Sequence, residues 1–338
     1  MSRYEAAKRD GLARIGIYEE GETSVSLPAT LDTDSLFPAL RERSLSNVPL
    51  SAEEAFVRDY FSPGDGQPVA VHPLAAQTAE SGDCTLVAGW HTALKNPRNY
   101  AAWLATLKES VPPDTAWYAP ASALPSTACL LVYSGFDLFD YRAVDLASAQ
   151  KTFCLPEGEF PASLMETGAC GCKGCRDGDL RQHNRLALDR ELALVRHFIE
   201  AGRLRELMES RCRADAAQVG ILRFLDRNYA LMERSLPVAR AVPMRANTAE
   251  SQNRAEVRRF ADRVIERFVP TRTDVAVLLP CSARKPYSLS RSHRLFMNTV
   301  DRRAHEQIVT SPLGLVPREL ERIYPAGHYD VPVTGYWD

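Results

Sequence analysis

The chain has 338 residues, 45% of them hydrophobic, with 41 basic and 43 acidic side chains and a formal net charge of −2. That length holds two domains of ordinary size, and the hydrophobic content supports real cores. The near-neutral balance excludes a global basic field, so a nucleic-acid partner has to be held by a local patch.

Taken in order, residues 1 to about 30 carry a turn and short alternating segments that predict an entering hairpin. The stretch Lys8 to Gly16 resembles the opening of the tRNA-guanine transglycosylase barrel. Residues 31 to 67 are polar and rich in Pro and Ser, with one helical stretch from Ala52 to Tyr60. Val69 to His72 and Cys84 to Ala88 read as strands, and Pro97 to Ser110 as a helix with Tyr100, Trp103, Leu104 and Leu107 on one core-facing side. Thr115 to Ala119 and Cys129 to Gly135 predict further strands, with Pro120 to Thr127 as a loop between them. Alternating strands and helices indicate parallel β/α units.

Gly135-Phe-Asp-Leu-Phe-Asp140 resembles the transglycosylase stretch that ends in the aspartate nucleophile, and Asp140 occupies that position. Its surroundings depart from that family, since Tyr141-Arg-Ala-Val follows. About 165 residues precede the metal motif, short for an eight-stranded barrel of about 250. The expectation is therefore a degenerate barrel kept for architecture or tRNA docking, with Asp140 as a substrate contact.

The eight cysteines lie at 84, 129, 154, 170, 172, 175, 212 and 281, three of them packed into Cys170-Gly-Cys-Lys-Gly-Cys175. This distribution indicates a metal site plus single thiols, not a disulfide framework. Cys170, Cys172 and Cys175 with one imidazole make a closed tetrahedral set for a structural Zn2+. The transglycosylases have a similar thiol cluster followed by His-Asn at a helix start, and that resemblance selects His183 over His197 as the fourth ligand.

Arg185 to Arg211 reads as a long helix broken near Gly202, Val219 to Leu236 as a second helix, Arg240 to Asn253 as a polar connector, and 254 to 268 as an amphipathic helix. The stripe Arg254, Arg258, Arg259, Arg263, Arg267 on that last helix reads either as a solvated face or as a tRNA phosphate contact. Val275 to Leu279 is an uncharged, β-branched run that predicts a strand buried on both faces. Cys281, Lys285, Tyr287, Ser290 and His293 follow it. A thiol near cations is the nucleophilic thiolate, and an imidazole is suited to proton transfer at neutral pH.

The spacing Pro280-Cys281, Lys285-Pro-Tyr287, Ser290, His293 resembles the signature of the archaeosine synthase alpha-subunit family. The match continues through Val309 to Leu320, Tyr324-Pro, and Tyr329 to Gly335, about 95 residues in all. The resemblance implies a tRNA-modifying enzyme that adds an amine, free lysine or another donor, to the nitrile of 7-cyano-7-deazaguanine in tRNA. Cys281 is then the nucleophile, His293 the proton shuttle, Lys285 the stabilising cation, and Tyr287 and Ser290 the positioning groups. Ser311, at the expected start of a helix able to bind an anion, and Thr334 are candidate substrate contacts. Base exchange through Asp140 and a non-catalytic tRNA-binding subunit are the alternatives.

The expected architecture is α/β: residues 1–212 a transglycosylase-like domain with the zinc site, 213–250 a helical connector, and 251–338 a small, incomplete catalytic α/β domain. In the family it resembles the domain continues and is often followed by a PUA RNA-binding module, so the remainder is expected either in a second polypeptide or in the rest of a longer protein of which this sequence is a fragment. No run of 18 apolar residues and no leader pattern occurs, so a cytoplasmic chain without membrane contact is expected.

Overall fold

The computed structural model describes residues 2–31, 76–78, 84–87, 94–111 and 113–332, and the chain divides into two compact units, Met1–Phe224 and Leu225–Asp338. The expected helix from Ala52 to Tyr60, the strand from Val69 to His72, and Thr334 lie outside the described residues.

The first unit opens with an antiparallel sheet of β1 (Ser2–Asp10), β2 (Ala13–Glu20) and β3 (Thr23–Leu27). Then come β4 (Ala29–Thr30), β5 (Ala76–Thr78), β6 (Cys84–Val87), α1 (Pro97–Ser110), β7 (Ala116–Tyr118), α2 (Pro125–Tyr133), β8 (Leu138–Phe139) and α3 (Arg142–Ala149). Their strands form one sheet in the order β4-β8-β7-β6-β5, parallel except for β5. Among the described residues this sheet is open, and its parallel strands alternate with helices as the expected β/α units do. Tyr18, Leu27, Leu31, Cys84, Ala116, Tyr118 and Leu138 share one core across both sheets. The aromatic face of α1 is core, as its spacing predicts: Trp103 stacks on Phe136 with ring centres 6.2 Å apart, and the Tyr100 hydroxyl donates to Ser134 Oγ at 2.8 Å.

The expected strand from Cys129 to Gly135 is instead the end of α2. Pro125 starts that helix without loss of a needed N–H, and Thr127 Oγ1 accepts from the Leu124 N–H at 3.1 Å. Every residue from Ala128 to Tyr133 is buried, and a run apolar on all sides carries no period by which helix and strand differ.

The unit ends with the hairpin β9 (Thr152–Leu155) and β10 (Gly158–Pro161), then α4 (Lys173–Asp177), α5 (Leu180–Glu200), α6 (Leu204–Arg211) and α7 (Ala216–Arg227), the last crossing into the second unit. The break expected near Gly202 separates α5 from α6. The single helix expected over Val219 to Leu236 is two, parted at Asn228.

In the second unit α8 (Tyr229–Ser235), β11 (Met244–Arg245), α9 (Ala255–Arg267), β12 (Ala276–Pro280), α10 (Arg291–Val300), β13 (His305–Thr310), β14 (Gly314–Pro317) and β15 (Tyr329–Asp330) follow in order. β12 runs parallel to β13, β13 antiparallel to β14, and β11 pairs in parallel with β15. One face of the three-stranded sheet carries Ile308 and Val316 into a core with Val257, Phe260, Tyr287 and Tyr329. The other face is open: Leu278 is 64% exposed and Val309 and Leu315 each 47%. The expectation that β12 is buried on both faces is therefore corrected. It is an edge strand, and within it only Leu279 is buried.

The helix expected from Ser311 is absent as well. The chain turns back through Pro312 and Leu313 to Gly314, whose φ of 74° suits a residue without Cβ, and pairs as β14. Only one 3-10 turn, Arg318–Leu320, follows, so Ser311 sits in a hairpin turn and not at a helix start.

Candidate functional site

β12 delivers Pro280 to a segment that the signature residues fold in two different ways. Cys281 is exposed and Lys285 half-buried, whereas Tyr287, Ser290 and His293 are buried.

The buried three form the scaffold. Ser290 caps α10, its Oγ accepting from the His293 N–H at 3.2 Å. His293 Nε2 lies 2.9 Å from the Pro280 carbonyl and Nδ1 2.8 Å from Arg318 Nη2. A carbonyl can only accept and a guanidinium only donate, so the ring carries its proton on Nε2 and is neutral. Burial first, and the Arg318 charge second, hold its pKa below the ordinary histidine value. Arg318 also reaches Glu306 at 2.6 Å and Glu321 at 2.8 Å, so His293 belongs to a buried ionic network. With both nitrogens committed one residue from Cys281, it is built to fix the end of β12, and the shuttle role expected of it has no free nitrogen to work with.

Tyr287 leads to Tyr329, a residue whose part in the site no sequence spacing marks. The Tyr287 hydroxyl hydrogen-bonds that of Tyr329, which in turn bonds Thr310 Oγ1. Lys285 Nζ stands 4.1 Å from the centre of the Tyr329 ring. Burial lowers the Lys285 pKa, while the charges of Asp330 and Cys281 oppose that shift. Burial raises the Tyr287 pKa, with the Cys281 charge adding to the rise. A thiol open to solvent, an amine eased toward its neutral form and a fixed pair of phenols thus occupy one region. Thiolate chemistry and proton transfer are both within its means.

In the first unit Cys170, Cys172, Cys175 and His183 bring their donor atoms within 4.8 Å of one another. His183 Nδ1 is 3.3 Å from both Cys172 Sγ and Cys175 Sγ, close to the roughly 3.5 Å edge of a tetrahedral thiolate and imidazole set. Nε2 donates to the Cys154 carbonyl at 3.1 Å, which leaves Nδ1 as the ligand, and Phe153 stacks on the ring at 3.8 Å. The neighbouring Asn184 Oδ1 accepts from the Cys154 N–H at 2.8 Å, so the His-Asn pair grips both backbone groups of one residue. Gly174 lies so close that a Cβ there would stand 2.3 Å from the His183 nitrogen. Burial lowers the His183 pKa and so favours the neutral form that binds metal. The four residues fit a structural metal ion with no open position.

Asp140 is 1% exposed, and its oxygens accept from Tyr118 Oη at 2.8 Å, the Ala121 N–H at 3.0 Å, the Arg142 N–H at 2.9 Å and Arg142 Nη1 at 3.0 Å. A nucleophile has to reach its electrophile, and this carboxylate is committed inside the fold. The arginine stripe on α9 is also largely engaged. Arg254 and Arg259 are buried, Arg259 binding Glu233 at 2.9 Å and the carbonyls of Glu233, Leu236 and Pro237. Arg258 faces Asp262 at 3.6 Å.

Residues 257–338 match a family described as a domain of unknown function, DUF5591. The archaeosine synthase subunit alpha of Methanosarcina acetivorans is 39% identical over 305 residues, 83% of this chain and 49% of that protein. The archaeosine synthase of Haloferax volcanii is 36% identical over 365 aligned positions, 99% of this chain and 61% of that protein. A tRNA-guanine(15) transglycosylase of Methanobrevibacter smithii is 30% identical over 237 residues, 63% of this chain and 35% of that protein. The chain thus spans about half to three fifths of the length of the two archaeosine synthase relatives.

Proposed function

From the premise that this chain is a sequence relative of the archaeosine synthase family over most of its length, we propose that it modifies tRNA by adding an amine to the nitrile of 7-cyano-7-deazaguanine. The observation that carries this reading is the exposed Cys281 thiol beside a half-buried Lys285.

The Cys281 thiolate adds to the nitrile carbon, forming the C–S bond while one π pair moves to nitrogen. The Lys285 ammonium gives that nitrogen its proton, which leaves a thioimidate and a neutral lysine side chain. The donor amine then attacks the same carbon, the neutral Lys285 takes up the proton it sheds, and the C–S bond breaks to return the thiolate and an amidine. An amine whose pKa is lowered by burial suits this exchange in both directions. His293, Ser290 and Tyr287 keep the nucleophile and Lys285 in place. Free lysine is the donor we favour, with glutamine or ammonia as the other candidates.

The thiol and imidazole cluster is proposed to hold a structural Zn2+, since three thiolates and one imidazole form a closed set that this ion favours. The partners proposed are tRNA, the amine donor, and a second polypeptide that brings an RNA-binding module. The word "subunit" in the name of the Methanosarcina acetivorans relative and the uncovered face of the three-stranded sheet support that second chain.

The test is mass spectrometry of cyano-modified tRNA incubated with the protein and lysine. Cys281→Ala is expected to lower product formation by at least about 10³-fold while tRNA binding persists. Undiminished turnover in that variant would mean direct attack by the amine, and the thioimidate route would be abandoned. Release of guanine from unmodified tRNA, lost on Asp140→Asn, would favour base exchange instead.

A further inference from the structure

The base of Lys285 is not contributed by its own segment. Its Nζ sits over the ring of Tyr329, 4.1 Å from the centroid, and Tyr329 belongs to β15, whose only described strand partner is β11. That ring cannot turn away. Its face is buried at 3% exposure in the core with Met244, Phe260 and Ile308, and its hydroxyl is tied on one side to Tyr287 and on the other to Thr310. Tyr287 lies two residues beyond Lys285, so the same chain segment that carries the amine is pinned through its phenol to the ring beneath that amine. Thr310 ends β13, the strand paired with β12, so the third hydroxyl ties the arrangement to the sheet that presents Cys281.

We propose that Tyr329 is the positioning residue of the site: its ring face, fixed by packing in the core, holds the Lys285 ammonium directed toward Cys281. A cation over an aromatic face gains about 0.5–1 kcal/mol when partly exposed, which corresponds to about a two- to fivefold effect on a population. The charged and titratable groups bearing on the amine are Cys281 and Asp330, and those bearing on the two phenols include Cys281 and Glu321. None of them forms an ion pair within 4 Å of Lys285 among the described residues, so the ring is its nearest fixed support.

The inference rests on Cys281 as the reactive thiol, but its test does not use turnover. The readout is the rate at which iodoacetamide alkylates Cys281 at pH 7, followed by peptide mass spectrometry on the full chain. Four of the other cysteines are buried and the remaining three belong to the metal cluster. Lys285→Met is expected to slow alkylation several-fold, because the thiolate loses its cation. Tyr329→Leu is expected to slow it about two- to fivefold, and Tyr329→Phe, which keeps the ring face, to leave it within twofold of wild type.

The Tyr329→Leu, Lys285→Met double variant should match Lys285→Met alone, since the ring acts only through the amine. Multiplying effects in the double variant, or equal losses in Tyr329→Phe and Tyr329→Leu, would overturn the proposal. Should Tyr329→Leu fail to fold by circular dichroism, phenylalanines of increasing ring fluorination at position 329 preserve shape while draining the ring quadrupole. Alkylation that falls stepwise along that series supports the proposal, and a flat series overturns it. Loss of turnover in Cys281→Ala tests the nitrile reading separately, so each can fail without the other.

Discussion

His293 gives the clearest case of a single residue whose charge state is set by its neighbours. Burial first, and second the Arg318 guanidinium 2.8 Å from Nδ1, hold its folded pKa below the ordinary value near 6.5. The unfolded chain therefore binds a proton that the folded chain refuses. The resulting stability is fully present above about pH 6.5 and is lost as pH falls toward the folded pKa. Chemical denaturation at pH 7.5 and pH 5 should show this loss, and His293→Gln, whose amide can still donate to Pro280, should lose less between the two. An equal loss in both proteins would mean that His293 does not titrate as described. Gly174 is the second such residue. A methyl group there meets His183 backbone at 2.3 Å, so Gly174→Ala is expected to cost about 1–3 kcal/mol and to lower bound metal per chain, read by denaturation and elemental analysis. Full metal content in that variant would show that the first turn of α5 can retreat without losing its ligand.

At the scale of elements, β12 behaves as an edge strand with one working face. Leu279 is packed against the core while Leu278, its neighbour, is 64% exposed. Leu279→Ala should cost about 2–4 kcal/mol, and Leu278→Lys less than about 0.5 kcal/mol in the isolated chain. Similar costs from equilibrium unfolding would show that both faces are covered in solution. The metal-bearing region is organised in the opposite way. α5 is tied to β9 by Asn184, to α3 by Asn184 Nδ2 on Ser148 Oγ at 2.8 Å, and to the thiol cluster by His183, so one helix turn serves three neighbours.

At the scale of the molecule, several arginines are spent on internal ion pairs. Among the described residues, Arg14 pairs with Asp137, Arg181 and Arg185 with Asp145, Arg211 with Glu191, and Arg318 with Glu306. With a net charge of −2 and much of the α9 stripe engaged, the cations open to a phosphate backbone near the site are local ones, the exposed Arg284, Arg291 and Arg294. Its affinity for tRNA is expected to fall with salt on a log–log slope no steeper than about −3, measured by anisotropy between 50 and 200 mM. A slope near −6 would reveal a basic surface beyond the residues described here. No described helix is long and apolar enough to cross a membrane.

What the sequence determined by itself are the features whose cause is local. The Cys-x-Cys-x-x-Cys spacing with His183, the amphipathic period of α1 and α9, the break near Gly202 and the Pro280 to His293 signature each need only a few neighbouring residues to be read. Tertiary structure alone decided what depended on distant partners. The apolar run at Cys129, buried on every side, carried no period to mark it as helix, and β12 became an edge because no described strand flanks it. The signature split into an exposed thiol, a half-buried amine and a buried scaffold through contacts with Arg318, Thr310 and Tyr329, which lie 25, 23 and 42 residues from the side chains they hold. Spacing along a chain records which groups are present. Which of them faces solvent and which is spent on hydrogen bonds is settled by partners that sequence proximity does not show.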